Sequence, residues 1–228
     1  YSEDGSNWAE PIVLGDVSTG ITGILNLGRV AIVTKTDSIW AIDFESSPIV
    51  LTELFHSIAN TSNGVGSNVW KGVAYIPFEG RLMAVSGDFD NGFTVTLDCS
   101  VGFLSQWDAP WGQGRVVAVA GDRFTLYAAM SATGGYRLLK SSDPLNRKWH
   151  GSLATLGDGT QTIEHLAIYE RGGTTNSELF FTTTSNDVGR IRLPRSANPA
   201  SDGNYLYDIG ATGQLFYSYV DGRFHVHK

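Results

Sequence analysis

The chain has 228 residues, of which 42% are hydrophobic, 11% aromatic and only 17% charged, against about 25% charged in ordinary soluble domains. Twenty-seven glycines beside seven prolines, with that aromatic content, exclude a collagen, a coiled coil and a disordered tail, and point to a β protein punctuated by glycine turns. Sixteen Lys and Arg against 23 Asp and Glu leave a net charge of −7, which argues against a counterion-releasing nucleic-acid surface and against docking on anionic membranes.

In chain order, short runs rich in Val, Ile, Leu, Tyr and Phe alternate with turns built on Asp and Gly, the pattern of consecutive antiparallel strands. The first hairpin unit occupies residues 21–43, with Lys35-Thr-Asp-Ser38 between its strands. The best helix candidate follows at residues 51–59, with Thr52 placed to cap it and Asn60 to stop it. A second unit runs from Asn68 through Phe78-Glu-Gly80 to Val85, and a third from Arg115 through Gly121-Asp-Arg123 to Lys140. A fourth covers residues 163–193, and a fifth begins near Gly213. Unit starts near 21, 68, 115, 163 and 211 recur at about 47 residues, the size of a four-stranded propeller blade. The expected fold is therefore all-β: residues 1–228 form a single β-propeller domain of about five four-stranded blades, or a slice of a longer propeller. A β-sandwich is the alternative, but it supplies no reason for a steady period. Helix is expected in under about a tenth of the residues and strand in more than about two fifths, well above the usual strand share.

Candidate chemistry is sparse. The single cysteine, Cys99, permits no internal disulfide and no cysteine-based zinc site. It lacks a basic neighbour, so an inert buried thiol is expected. No apolar run approaches the ~20 residues of a membrane-spanning helix, and no secretory leader is evident. Asp88-Phe-Asp-Asn-Gly92 carries oxygen ligands of the calcium-loop kind, yet it lacks the later acidic positions and reads as a hairpin turn. His225 and His227 share one strand face, as a zinc or nickel pair would, without an identifiable third ligand. His56 and His150 stand alone, and His165 falls in an apolar strand pattern that suits a core or interface histidine. Glycosidase-type carboxylate pairs could draw on Asp37, Asp43, Asp122, Asp187 or Asp208, nearly all of them in the company of turn residues. Arg29, Arg81, Arg115, Arg123 and Arg190 recur about once per unit, which suggests pairing with turn carboxylates of neighbouring blades. The most unusual loop is Trp107-Asp-Ala-Pro-Trp111-Gly-Gln-Gly114. Trp107 and Trp111 there are the candidate ligand-binding residues, as a stacking platform for sugar rings, with wedging between blades as the alternative. Tyr205 and Tyr207 are a weaker second choice. No catalytic set, metal site or cofactor is expected.

Two resemblances sharpen this reading. Ser2-Glu-Asp-Gly-Ser-Asn-Trp8 resembles the Asp-box hairpin of sialidase-like propellers, short of one residue between Asp4 and Gly5. The resemblance implies structural roles: Asp4 bonding turn amides, Gly5 at positive φ, and Trp8 packed between blades. The residues Gln214 to Val226 would complete that blade and close the ring. More broadly, the stretches Arg29-Val-Ala-Ile-Val-Thr-Lys-Thr-Asp-Ser-Ile-Trp-Ala-Ile-Asp43, Val69-Trp-Lys-Gly-Val-Ala-Tyr-Ile-Pro77, Val117-Ala-Val-Ala-Gly-Asp-Arg123, Asn186-Asp-Val-Gly-Arg-Ile-Arg-Leu-Pro194 and Asp202-Gly-Asn-Tyr205 resemble propeller-like structural proteins of tailed bacteriophages and environmental viral contigs. That resemblance implies a non-enzymatic virion component, tail-associated, part of a longer chain. Its partners would be other virion proteins and a host-surface glycan, with no nucleic acid and no membrane insertion. A carbohydrate-binding, lectin-like propeller is the alternative function, and a sialidase-like hydrolase the remote one.

Overall fold

The computed structural model describes residues 11–99, 114–132, 135–150, 155–156, 163–170, 177–184 and 187–193. They form four antiparallel sheets arranged as propeller blades. Blade 1 comprises β1 (Ile21–Leu27), β2 (Val30–Lys35), β3 (Ser38–Asp43) and β4 (Val50–His56). Blade 2 comprises β5 (Asn68–Trp70), β6 (Val73–Phe78), β7 (Arg81–Asp88) and β8 (Gly92–Thr96). Blade 3 comprises β9 (Gly114–Gly121), β10 (Leu126–Ala132), β11 (Gly135–Asp143) and β12 (Lys148–His150), and the short β13 (Thr155–Leu156) also pairs with β11. Blade 4 comprises β14 (Ile163–Tyr169), β15 (Glu178–Thr183) and β16 (Val188–Arg192). Apart from β13, the strands of every blade lie in sequence order, each paired with the next. Blade starts at Ile21, Asn68, Gly114 and Ile163 reproduce the period read from the sequence. Its fifth unit lies outside the described residues.

Packing follows from strand alternation, which sends successive side chains to opposite faces. In β10, Leu126, Ala128 and Met130 face blade 2, where they pack with Tyr75, Leu82 and Ala84. Tyr127 and Ala129, between them, turn the other way toward blade 4. Blade 2 is likewise two-sided: Ala74, Ile76, Met83 and Val85 pack against Ile32, Ile39 and Ala41 of blade 1. Strands buried on both faces read as continuous apolar runs rather than alternating ones, which explains stretches such as residues 116–120. Each seam thus carries its own apolar cluster.

Two tryptophans lock the seam between blades 2 and 3. The Trp70 indole N–H donates to the Asp122 carbonyl, and the Trp149 indole N–H donates to the Cys99 carbonyl at 2.9 Å. Gly121 lies directly beneath the Trp70 ring, and the Lys71 ammonium sits 4.2 Å above its centroid. Cys99 is fully buried in the same seam, and its thiol donates to the Leu82 carbonyl at 3.0 Å. Burial pushes that thiol up to about 12, with Asp98 adding to the rise, so it is inert toward nucleophilic chemistry.

The helix expected at residues 51–59 is replaced by strand β4. Its residues pair with β3 in the register Ile39↔Phe55 and Ile42↔Leu51. Tertiary pairing overrides the local helical signal because β4 completes the sheet and sends Phe55 edge-on against Phe78 of blade 2, with centroids 5.5 Å apart. The bulge between Ile39 and Trp40 lets Leu54 and Phe55 both reach the seam, and this mimics helical spacing in the sequence. Among the described residues the helical content is one 3-10 turn at Pro144–Asn146. No described helix is long and apolar enough to cross a membrane.

The linker from blade 1 to blade 2 is pinned by Asn63, which is 1% exposed. Its side-chain amide donates to the Thr36 carbonyl at 2.8 Å, and its carbonyl oxygen accepts the Glu79 amide at 2.8 Å. One side chain therefore ties the β2–β3 turn of blade 1 to the β6–β7 turn of blade 2. Ahead of β1, the chain lies across the other face of blade 1. Leu14 packs on Val33 and Ile42, and the buried Lys35 ammonium donates to the Leu14 and Asp16 carbonyls at 2.5 and 2.6 Å.

Candidate functional site

The first strands of blades 1, 3 and 4 and the linker before β5 converge on two adjoining cavities. One, of about 290 Å³, is bounded by Thr22 to Leu25 of β1, Gly64 to Ser67 of the linker, Val119 of β9, and His165 and Leu166 of β14. All four blades or their links contribute, as expected where propeller blades meet at the ring centre. The other, of about 310 Å³, is bounded by Thr61, Ser62 and Val65 of the linker, Pro77 and Gly80 of blade 2, Arg115 to Val117 of β9, and Ile163 to His165 of β14. Val65 and His165 line both.

The linker reaches this centre by close backbone approach. Gly66 adopts φ +71° and its carbonyl accepts the Val119 amide at 2.9 Å. A Cβ at Gly66 would lie 2.5 Å from the Val117 carbonyl oxygen and 2.7 Å from the Ala118 Cα. Two threonines brace the neighbouring part of β1: the Thr22 hydroxyl donates to Thr34 at 3.0 Å, and the Thr34 hydroxyl donates to the Gly23 carbonyl at 3.3 Å.

His165 does not sit in a core, as its apolar neighbours in sequence suggest. It is exposed on β14 and faces the cavities. The reason is a shift of register between Ile163 and His165 in the pairing with β15, which changes the parity of the strand. Ile163, Leu166 and Ile168 face blade 3, and His165 is left on the open side. Arg115 is held in place by its backbone neighbours: the Val116 amide donates to the Gly80 carbonyl at 3.1 Å, and a Cβ at Gly80 would lie 3.2 Å from the Arg115 Cβ.

The other sequence candidates occupy structural positions. The Asp88 carboxylate accepts the Asp90 and Asn91 amides at 2.9 and 2.7 Å and the Asn91 side-chain amide at 3.0 Å, so residues 88–92 form the β7–β8 hairpin turn. Asp43 accepts the Glu45 amide and the Ser46 hydroxyl. Asp122 accepts the Phe124 and Thr125 amides, both at 2.7 Å. Asp37 accepts the Ser38 hydroxyl at 2.8 Å, and the Asp187 carbonyl accepts the Thr183 amide. These aspartates bind the turns they occupy. Among the described residues, no three metal-ligating side chains gather into one group.

The expectation that repeated arginines bridge blades holds for Arg29. It pairs with Glu45 of its own blade at 2.9 Å and with Asp90 in the β7–β8 turn at 3.6 Å. Arg190 departs from it by pairing with Glu178 on the adjacent strand of its own blade at 3.5 Å, and Arg123 lies over the Phe124 ring. Trp107 and Trp111 lie outside the described residues, as do Tyr205, Tyr207, Asp208, His225, His227 and the Asp-box residues Asp4, Gly5 and Trp8.

Asp88 supplies a test of the turn assignment. Hydrogen bonds from the Asn91 amide and side chain, then from the Asp90 amide, with Arg29 nearby, hold its carboxyl below the ordinary value near 3.8. A carboxylate depressed in the folded state stabilises the fold above its unfolded value, and that stabilisation disappears as pH falls through the folded value. Asp88→Ala should therefore melt below the wild type at pH 7, and the two melting curves should converge as the pH drops below about 3.8. A gap of constant size across that range would contradict the assignment.

No family model matches the chain, and no curated protein matches it. Among solved structures, the crystal structure of the computationally designed Ika4 protein aligns at a TM-score of 0.49 and 10% identity, covering 82% of this chain and 99% of that one. Glutaminyl cyclase from Myxococcus xanthus aligns at 0.40 and 12% identity, covering 79% and 75%. Both scores lie below 0.5, and neither bears on what this chain binds or does.

Proposed function

We propose that the chain is a non-enzymatic structural component of a phage-like virion, tail-associated and in contact with neighbouring virion proteins. The observation that carries this reading is the outer edge of blade 1. Among the described residues β4 is the last strand of its sheet, and on and beside it Phe44, Ile49, Val50 and Leu51 are all exposed. An open strand edge with apolar side chains is a template for another chain. The sequence resemblance to propeller-like tail proteins supplies the context, and the turn-bound carboxylates described above support a scaffold.

The proposal is tested in particles. Mass spectrometry of purified virions should find the protein at fixed stoichiometry to the major tail proteins, and Val50→Lys with Leu51→Lys should lower its incorporation while leaving the isolated protein's melting temperature unchanged. Absence of the protein from purified particles would overturn the reading. A carbohydrate-binding propeller is the second reading, favoured by the cavity at the ring centre with its polar rim.

A further inference from the structure

We infer that the 310 Å³ cavity is a binding site for a small carboxylate-bearing polyol, a sugar acid of single-ring size. Its volume lies at the small end of ligand pockets, which run from about 300 to 1,000 Å³. Its polar groups come from three separate parts of the chain: Thr61 and Ser62 from the linker, Arg115 from β9, and Glu164 and His165 from β14. A guanidinium offers a planar fork of donors that matches a carboxylate with two parallel hydrogen bonds. Arg115 forms no ion pair with a described residue, Glu164 on the facing strand included, although both line this cavity. The carboxylate of Glu164 accepts from hydroxyl groups and repels a second carboxylate, so the two charges fix one orientation: acid group toward Arg115, hydroxyls toward Glu164 and the linker.

The remaining wall suits the carbon face of a sugar ring. Val65, Val116 and Val117, with the edges of Pro77 and Ile163, add apolar lining to these polar groups, the combination of apolar lining and few placed polar groups that defines small-molecule sites. The site is also held by its surroundings. The Ser62 amide and hydroxyl both donate to the Asn60 side-chain oxygen at 3.0 and 2.8 Å, Ile163 is buried in the seam with blade 3, and the Val116 amide next to Arg115 donates to the Gly80 carbonyl in the turn of blade 2. Preorganisation of this kind reduces the ordering cost of binding. The inference stands on the cavity alone and does not require the virion reading.

The test is calorimetry and saturation-transfer NMR on the full chain with D-glucuronate, D-glucose and acetate as probes. Saturable glucuronate binding is expected, at least tenfold tighter than glucose or acetate. Arg115→Gln should remove the preference for glucuronate over glucose. Arg115→Lys, which keeps the charge without the fork, should retain part of it. Arg81→Gln, at an exposed arginine that does not line the cavity, should change nothing. Melting curves of each variant separate loss of binding from loss of fold. Absence of saturable glucuronate binding in the wild type would overturn the inference, as would equal losses in the Arg81 and Arg115 variants. Acetate binding as tightly as glucuronate would overturn the polyol assignment.

Discussion

Trp70→Ala should cost about 3–5 kcal/mol, the usual range for truncating a large buried aromatic. The indole is 6% exposed in the seam between blades 2 and 3, and it carries the hydrogen bond to the Asp122 carbonyl. Truncation opens a cavity against Gly121 and Tyr75, strands that carbonyl, and removes the face beneath the Lys71 ammonium. At roughly 2–4 °C per kcal/mol for a chain of this size, the melting temperature should fall by about 10 °C. Trp70→Phe keeps most of the apolar contact and loses only the hydrogen bond, so it should cost less than half as much. Thermal unfolding of the two variants checks both values. A Trp70→Ala protein that melts within about 2 °C of the wild type, less than ~1 kcal/mol, would show that the seam does not hold the blades together.

Gly66→Ala should be nearly as damaging, for a different reason. Its positive φ alone costs a side-chain residue about 1–2 kcal/mol. The added methyl also meets backbone, 2.5 Å from the Val117 oxygen, and backbone cannot swing aside as a flexible side chain does. Gly28 is the internal control. It has nearly the same φ, +68°, with open space where its Cβ would stand. Gly28→Ala should therefore cost only the conformational part, about 1–2 kcal/mol, and Gly66→Ala about twice that or more, since a forced backbone shift adds to it. Chemical denaturation of the two variants separates the terms. Equal costs would mean that the linker does not pass as close to β9 as described.

Much of the fold was legible because inner strands carry a strong local signature. Ile21, Asn68, Arg115 and Ile163 mark the onset of apolar runs whose period matches the blades, and Asp43, Asp88 and Asp122 mark turns through chemistry that acts within two or three residues. Signals of that range survive in a sequence. What failed depended on longer range or on parity. Residues 51–59 carry helical spacing, and only pairing with β3 makes them a strand. His165 looks interior from its neighbours, and only the register shift after Ile163 turns it outward. Trp70 and Trp149, the tryptophans that fill a described seam, gave no signal that distinguished them from other aromatic residues in strands. The local signal is stronger at Trp107 and Trp111, whose Pro and Gly neighbours make that loop unusual. The central cavities were invisible for a simpler reason: Thr61 of the linker, Arg115 of β9 and His165 of β14 are about 50 residues apart in sequence, and no spacing rule joins them.

The convergence of successive blades on one centre is tested most directly by methyl NMR. Leu25 of β1, Val65 of the linker, Val119 of β9 and Leu166 of β14 border the same 290 Å³ cavity. In a deuterated, methyl-labelled sample, nuclear Overhauser cross-peaks should connect Val65 with Val119 and link the methyls of β1 and β14 through it. Cross-peaks confined to strand neighbours within each sheet, with none between Leu25, Val65, Val119 and Leu166, would contradict the shared centre.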